Sequence, residues 1–278
     1  MPLSRSIRSP RRRAALFAAV AIALVGCGGK LLARKPPWRE TATGPRPIAT
    51  AGQLVFFGDA PLDPGRRLLD ELAAQRTVIA DRLVLPMVDR RVHVYLYADE
   101  ETYRREMKAR FPDFQDRRAI FVDDRRELAV YAHWSELVAD DLRHEVAHGH
   151  LHAAVPNLPL WLDEGLAEFF EVGAARRGLN QPHVDYLLGQ LDAGGWRPRL
   201  ARLETLDSAA EMSRLDYAES WLWVHFLLES EGNKSAVLTD YLAELQMSGT
   251  PLPLSDHLAR RLGRPDAAVV EHLRSLGP

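Results

Sequence analysis

The sequence predicts an α+β fold, with a small mixed β-sheet packed on helices and a helical C-terminal part. Three observations carry this. Short apolar or alternating runs at Gln53–Phe57, Arg91–Tyr97, Ala119–Asp123 and Glu127–His133 read as strands. Helical segments fall between the first three, and only helical segments follow the fourth, an order that suits one sheet covered by helices. The 278 residues are 46% hydrophobic and 27% charged, a globular balance.

The first 52 residues stand apart from this body. Residues 1–26 hold five arginines and no acidic residue. Ser4–Arg13 is basic and abuts the apolar run Ala14–Val25. That run is too short to cross a membrane comfortably but suits the hydrophobic region of a signal peptide. It ends in Leu24-Val25-Gly26-Cys27, which resembles the bacterial lipobox. The resemblance implies cleavage after residue 26, acylation of Cys27 and a lipid-anchored protein of the bacterial envelope. With Gly28 rather than Asp after the cysteine, it favours the outer membrane over the inner. Cys27 is the only cysteine, so no internal disulfide forms. Residues 27–52, rich in Pro, Gly, Thr and Arg, read as a flexible tether. Residues 53–278 read as one domain. Beyond residue 26 the chain bears 31 basic and 38 acidic side chains, which argues against nucleic acid as a partner.

Within the domain, Asp63–Leu85 reads as a helix with Pro64 at its first position and Leu68, Leu72, Ile79 and Leu83 on one face. His93 reads as a sheet-face residue. Asp99–Phe111 is a helix closed by Pro112. A helix beginning near Ser135 carries Asp140 and Asp141 in its early turns, where acids suit the helix dipole. Pro156-Asn157-Leu158-Pro159 breaks it, and a second helix follows to about Ala175. Further helices are expected at Pro182–Leu191, Tyr217–Glu231, Lys234–Gln246, Leu254–Leu262 and Pro265–Leu276, with a loop at Gly194–Pro198.

The chemistry concentrates in residues 144–171. His144 and His148 are four apart, which puts both imidazoles on one helix face, one turn apart. Two neutral imidazoles so placed suit Zn²⁺, at ~2.0–2.1 Å per bond. Glu145 lies beside that face, placed to take a proton from an attacking water. Catalytic zinc takes three protein ligands, and Glu164, on the helix after the break, is the candidate third. Glu168, one turn on, is the candidate acceptor for the far nitrogen of a ligating histidine. His150 faces away from the ligand face, and His152 lies on it but ~12 Å along the axis from His144. Both read as solvated or supporting residues.

His144-Glu145-Val146-Ala147-His148 followed by Trp161-Leu162-Asp163-Glu164-Gly165-Leu166-Ala167-Glu168 resembles the gluzincin metallopeptidases, in particular the secreted peptidase MA-like group. The specific match covers residues 136–171. The resemblance implies a zincin-like fold, with His144, His148 and Glu164 as ligands of one zinc ion and Glu145 as general base. It further implies that the strand preceding the motif helix, Glu127–His133, is an edge that lines the cleft. His133 and Trp134 at its end are within reach of the cleft, with edge or core packing the favoured reading for both. A Tyr or His from the C-terminal region would stabilise an oxyanion, making Tyr217 the favoured candidate and His225 the alternative. The implied activity is hydrolysis of a peptide or protein substrate. The Gly-x-Met-Glu-Asn element of the aminopeptidase relatives is absent, which favours endopeptidase action. Two other readings stand beside this one: an inactive zincin-fold lipoprotein acting as an envelope scaffold, and a hydrolase of non-peptide amides.

Overall fold

A computed structural model describes residues 46–62, 66–124, 126–232, 234–248 and 251–277, with the backbone of 21–24. The expected lipidation of Cys27, most of the signal peptide and tether, and the Asp63-Pro64 helix start lie outside these residues. Six strands appear, β1 (Ala21–Leu24), β2 (Ala49–Ala51), β3 (Leu54–Gly58), β4 (Val92–Tyr97), β5 (Ala119–Asp123) and β6 (Leu128–His133). Ten α-helices accompany them: α1 (Arg66–Leu83), α2 (Glu100–Arg110), α3 (Val138–Ala154), α4 (Leu160–Phe170), α5 (Gln181–Asp192), α6 (Leu200–Leu203), α7 (Arg214–Glu229), α8 (Ser235–Ser248), α9 (Leu254–Leu262) and α10 (Pro265–Leu276). No helix among the described residues is long and apolar enough to cross a membrane.

The body of the fold is α+β. Its mixed sheet has five strands in the order β5-β6-β4-β3-β2, with the short β1 added beyond β5. β3, β4 and β6 run parallel, β5 is antiparallel to β6, and β2 is antiparallel to β3. The short β1, from the expected signal-peptide run, lies parallel to β5 with Ala21 opposite Ile120. Two expectations need correcting. The assigned tether ends inside the sheet, because Ala49–Ala51 pairs with β3. Glu127–His133 is not an edge: β6 pairs with β4 on one side and β5 on the other. All six β6 residues are buried, as suits the apolar run Leu-Ala-Val-Tyr-Ala, closed by His133, of a strand covered on both faces.

Alternation sorts the side chains to two layers. Phe56, Val94, Leu96, Phe121 and Val130 meet Leu69 and Leu72 of α1 and Leu142 and Val146 of α3. Phe57, Tyr95, Tyr97 and Tyr131 meet Tyr103 and Met107 of α2. Phe57, Tyr95 and Tyr131 form a stacked row across three strands, with ring centroids 5.3 and 4.9 Å apart. On the far side of α3, helices α4, α5 and α7 to α10 enclose a second and larger core that includes Trp161, Trp221 and Trp223.

Two close approaches place α3 and α4. Gly149 lets α3 lie on the sheet, because a Cβ there would come within 2.7 Å of a Val92 methyl carbon. Gly165 lets α4 touch α7, because a Cβ there would come within 2.5 Å of the Ser220 carbonyl oxygen. α7 is fixed in turn. Its N-terminus carries a capping box between Ser213 and Asp216. Buried Glu219 accepts hydrogen bonds from Trp196 Nε1 (2.9 Å), the Arg199 amide (2.6 Å) and Arg202 (2.9 Å). The Gly194–Pro198 loop therefore anchors α7 through Trp196.

Gly165→Ala is expected to lower stability by about 1–3 kcal/mol, because backbone rather than a flexible side chain must move. Gly189→Ala on α5, where nothing lies within 4 Å of the added carbon, is expected to be neutral or stabilising by up to ~1 kcal/mol. Urea denaturation of the two variants against the parent checks both.

Candidate metal centre

α3 and α4 meet with their polar faces inward. His144 and His148 project from α3 with ring centroids 4.8 Å apart, and Glu164 approaches from α4. Glu164 Oε2 lies 3.5 Å from His144 Nε2 and 3.7 Å from His148 Nε2. All three side chains are fully buried, and their candidate ligand atoms lie within 4.8 Å of one another.

The hydrogen-bond inventory separates the two sides of each imidazole. His144 Nδ1 is 2.9 Å from Glu171 Oε2, and His148 Nδ1 is 2.9 Å from Asp163 Oδ1. Both Nε2 atoms and both oxygens of Glu164 have no hydrogen-bond partner. Buried polar atoms are nearly always satisfied, and an orphan costs about 1–3 kcal/mol. A convergent set of orphans of both imidazole and carboxylate type fits a cation. The buried His/Glu group can therefore hold a metal ion.

Glu145 is also fully buried, with neither oxygen hydrogen-bonded. Burial raises its pKa well above the carboxylate range, against the pull of His144 and Arg117. Burial opposes charge on His144, but Glu164 and Glu171 hold its pKa well above the usual histidine value. Burial raises Glu164, with His144 and His148 working against it.

The support of His144 corrects an expectation. Glu168 does not hold a ligating histidine. It accepts from His183 Nε2 at 2.8 Å and lies 3.5 Å from Asn180 Nδ2. Glu171, two turns beyond Glu164, faces His144 instead, because the crossing of α3 and α4 brings that turn beside its Nδ1. Burial would raise Glu168, but His183 pulls its pKa below the usual range; burial and Glu168 together push Glu171 up.

The two C-terminal candidates separate. Tyr217, near the start of α7, is buried within the field of Glu164, Glu168 and Glu145, and burial first and these carboxylates next raise its pKa. Arg117, just before β5, acts on both Tyr217 and Glu145. His225, at the far end of α7, bonds His272 of α10 at 2.9 Å and packs on Trp221 and Phe169. It belongs to the C-terminal core.

Neither remaining motif histidine is solvated. His150 donates from Nε2 to the Leu72 carbonyl (3.1 Å) and faces the Gln53 amide through Nδ1 (2.6 Å). It ties α3 to α1 and to the turn before β3, and burial lowers its pKa to about 4. His152 lies between two carboxylates, 2.6 Å from Asp163 Oδ2 and 3.3 Å from Asp123 Oδ2. Burial opposes its charge, but Asp163 and Asp123 raise its pKa to about 9. His133 is buried at the end of β6 against Tyr103, at 5.2 Å between rings. His93 meets Glu127 on the sheet face. Asp141 is held by Arg118 at 2.5 Å.

Sequence reasoning missed Glu171, Asp163, Asp123 and Arg117. Asp163 had a readable signal: it adjoins Glu164, while His148 and His152 stack on one face at i, i+4. Comparison of the chain with protein-family models and with curated proteins finds no match.

Glu171→Ala is expected to weaken metal affinity by about 10- to 100-fold, the usual cost of losing a ligand's supporting carboxylate. Glu168→Ala is expected to cost less, since it bonds His183 instead. Competition with a chelator for Zn²⁺ measures both. His225 gives a stability prediction. Burial, then His272, lowers its folded pKa to about 3, against about 6.5 unfolded. The unfolded chain therefore gains a proton first as pH falls, and stability is lost from about pH 6.5 down through about 3. His225→Phe should lose less than the parent between pH 7 and 5 in urea denaturation.

Proposed function

We propose that this protein is a zinc-dependent peptidase of zincin-like fold, most consistent with endopeptidase action, lipid-anchored through Cys27 in the bacterial envelope. One observation carries the catalytic reading. Beside the convergent orphaned atoms of His144, His148 and Glu164 stands a carboxylate, Glu145, that is buried and makes no hydrogen bond of its own. A purely structural metal site has no need of such a group.

His144, His148 and Glu164 would hold the ion through the two Nε2 atoms and the carboxylate. Zinc, when bound, is a Lewis acid that polarises a carbonyl and lowers the pKa of water. Glu145 takes the proton of the attacking water and returns it to the leaving amine nitrogen as the C–N bond breaks. Tyr217, buried on α7 within the field of Glu164 and Glu145, donates from its hydroxyl to the oxyanion that forms. Asp163 and Glu171 keep the imidazoles oriented by accepting from their Nδ1 atoms. The zero exposure of His144, Glu145, His148 and Glu164 lowers the local dielectric and so strengthens the electrostatic interactions among these four groups.

The test pairs zinc content by elemental analysis with hydrolysis of casein, for the parent and its Glu145→Gln variant. About one zinc in both proteins, with cleavage only by the parent, is the expected result. Tyr217→Phe should keep its zinc and lose roughly 10²- to 10³-fold in kcat. Zinc in both proteins with cleavage by neither would favour the scaffold reading, and a folded parent that takes up no zinc would overturn the proposal.

A further inference from the structure

A line of side chains runs from the surface to the metal centre. Arg90, partly exposed, lies 3.3 Å from Asp123 Oδ1 at the end of β5. The other oxygen of Asp123 lies 3.3 Å from His152 Nδ1, and His152 Nε2 lies 2.6 Å from Asp163 Oδ2. Asp163 Oδ1 lies 2.9 Å from His148 Nδ1. His148, His152 and Asp163 are 2% exposed or less. Phe121 packs its ring on both imidazoles, at 5.8 and 5.0 Å, and closes the line off from the side.

Hydrogen-bond parity fixes the protons along it. Each nitrogen of His152 faces a carboxylate oxygen, and a carboxylate only accepts. Both nitrogens must then donate. Asp163 accepts from His152 on one oxygen, so its other oxygen is free only to accept from His148. The neutral ring of His148, the form that ligates a metal, therefore carries its proton on Nδ1 and presents its lone pair at Nε2.

We propose that His152, clamped between Asp123 and Asp163, is a positioning residue of the metal centre that sets how firmly His148 holds the ion. It touches neither ion nor substrate and acts through Asp163. The inference rests on the metal centre of the proposed function, not on peptide hydrolysis.

The full chain is loaded with Zn²⁺, and release into excess chelator is timed for the parent, His152→Gln, Asp123→Ala and His150→Gln. Visible absorption of the Co²⁺-loaded proteins reports the ligand geometry. Gln cannot donate in opposite directions to two carboxylates, so His152→Gln should release zinc roughly 10- to 100-fold faster and shift the Co²⁺ bands. Asp123→Ala, at the outer end of the line, should move both readouts the same way by less, and it serves should His152→Gln not fold. His150→Gln removes an equally buried histidine from the same helix and should lower the melting temperature while leaving release and spectrum unchanged. Release at the parental rate from a folded His152→Gln, or from Asp123→Ala in its stead, would overturn the proposal. So would equal acceleration by His150→Gln, since that marks a general loosening of α3. Faster release together with a parent inactive on casein would sink the peptidase reading and leave this inference standing.

Discussion

Four ionisable side chains, His144, Glu145, His148 and Glu164, sit at zero exposure in the seam between two helices. Isolated charges cannot be kept there, because desolvation of each ion costs several kcal/mol. The surrounding structure meets this constraint unevenly. It supplies partners to the outer nitrogen of each imidazole and leaves the inner nitrogens and the Glu164 oxygens without any. The second set of supports, Glu171 with Asn180 and Glu168 with His183, comes from the turn and helix that follow α4. The sheet and the C-terminal helices press on the seam from opposite sides, α3 seated on the sheet through Gly149 and α4 seated on α7 through Gly165.

Charge along the seam alternates in sign from solvent inward: Arg90, Asp123, His152, Asp163. His152 and Asp163 each have an opposite charge within hydrogen-bond reach, which is how Asp163 keeps a depressed pKa despite complete burial. Glu219 is a second case. It is fully buried on α7, and its oxygens take three donors from residues 196–202. One network orients a candidate ligand, and the other holds the helix that carries Tyr217.

What could be read from the sequence follows from the range of the interactions. The spacing of His144 and His148 is a property of one helix, and the break at Pro156–Pro159 is local, so both were legible, as was the placing of Glu164 on the next helix. The pairing of Glu171 rather than Glu168 with His144 depends on where two helices cross, which no single-helix period encodes. The partner of His152 comes from β5, 29 residues upstream, and was invisible for the same reason. The strands were readable from composition, but their neighbours were not. The interior place of β6 arises from parallel pairing with β4, across α2 and β5 in sequence, and the strand at Ala49–Ala51 is too short and too mixed to stand out from the Pro-rich segment before it.

The contact at Gly165 has a mechanical side. A Cβ at Gly165 would meet the Ser220 carbonyl, so the spacing of α4 and α7 is limited there by backbone and not by a rotamer that can relax. Ser220 becomes the fulcrum of a rigid rod. Tyr217 sits one arm away, ~4.5 Å along the axis, and His225 sits on the other arm at ~7.5 Å. A small tilt of α7 moves the two ends in opposite senses and in that ratio. Tyr217 and the His225–His272 pair thus lie on opposite sides of the point where α7 meets Gly165 of α4.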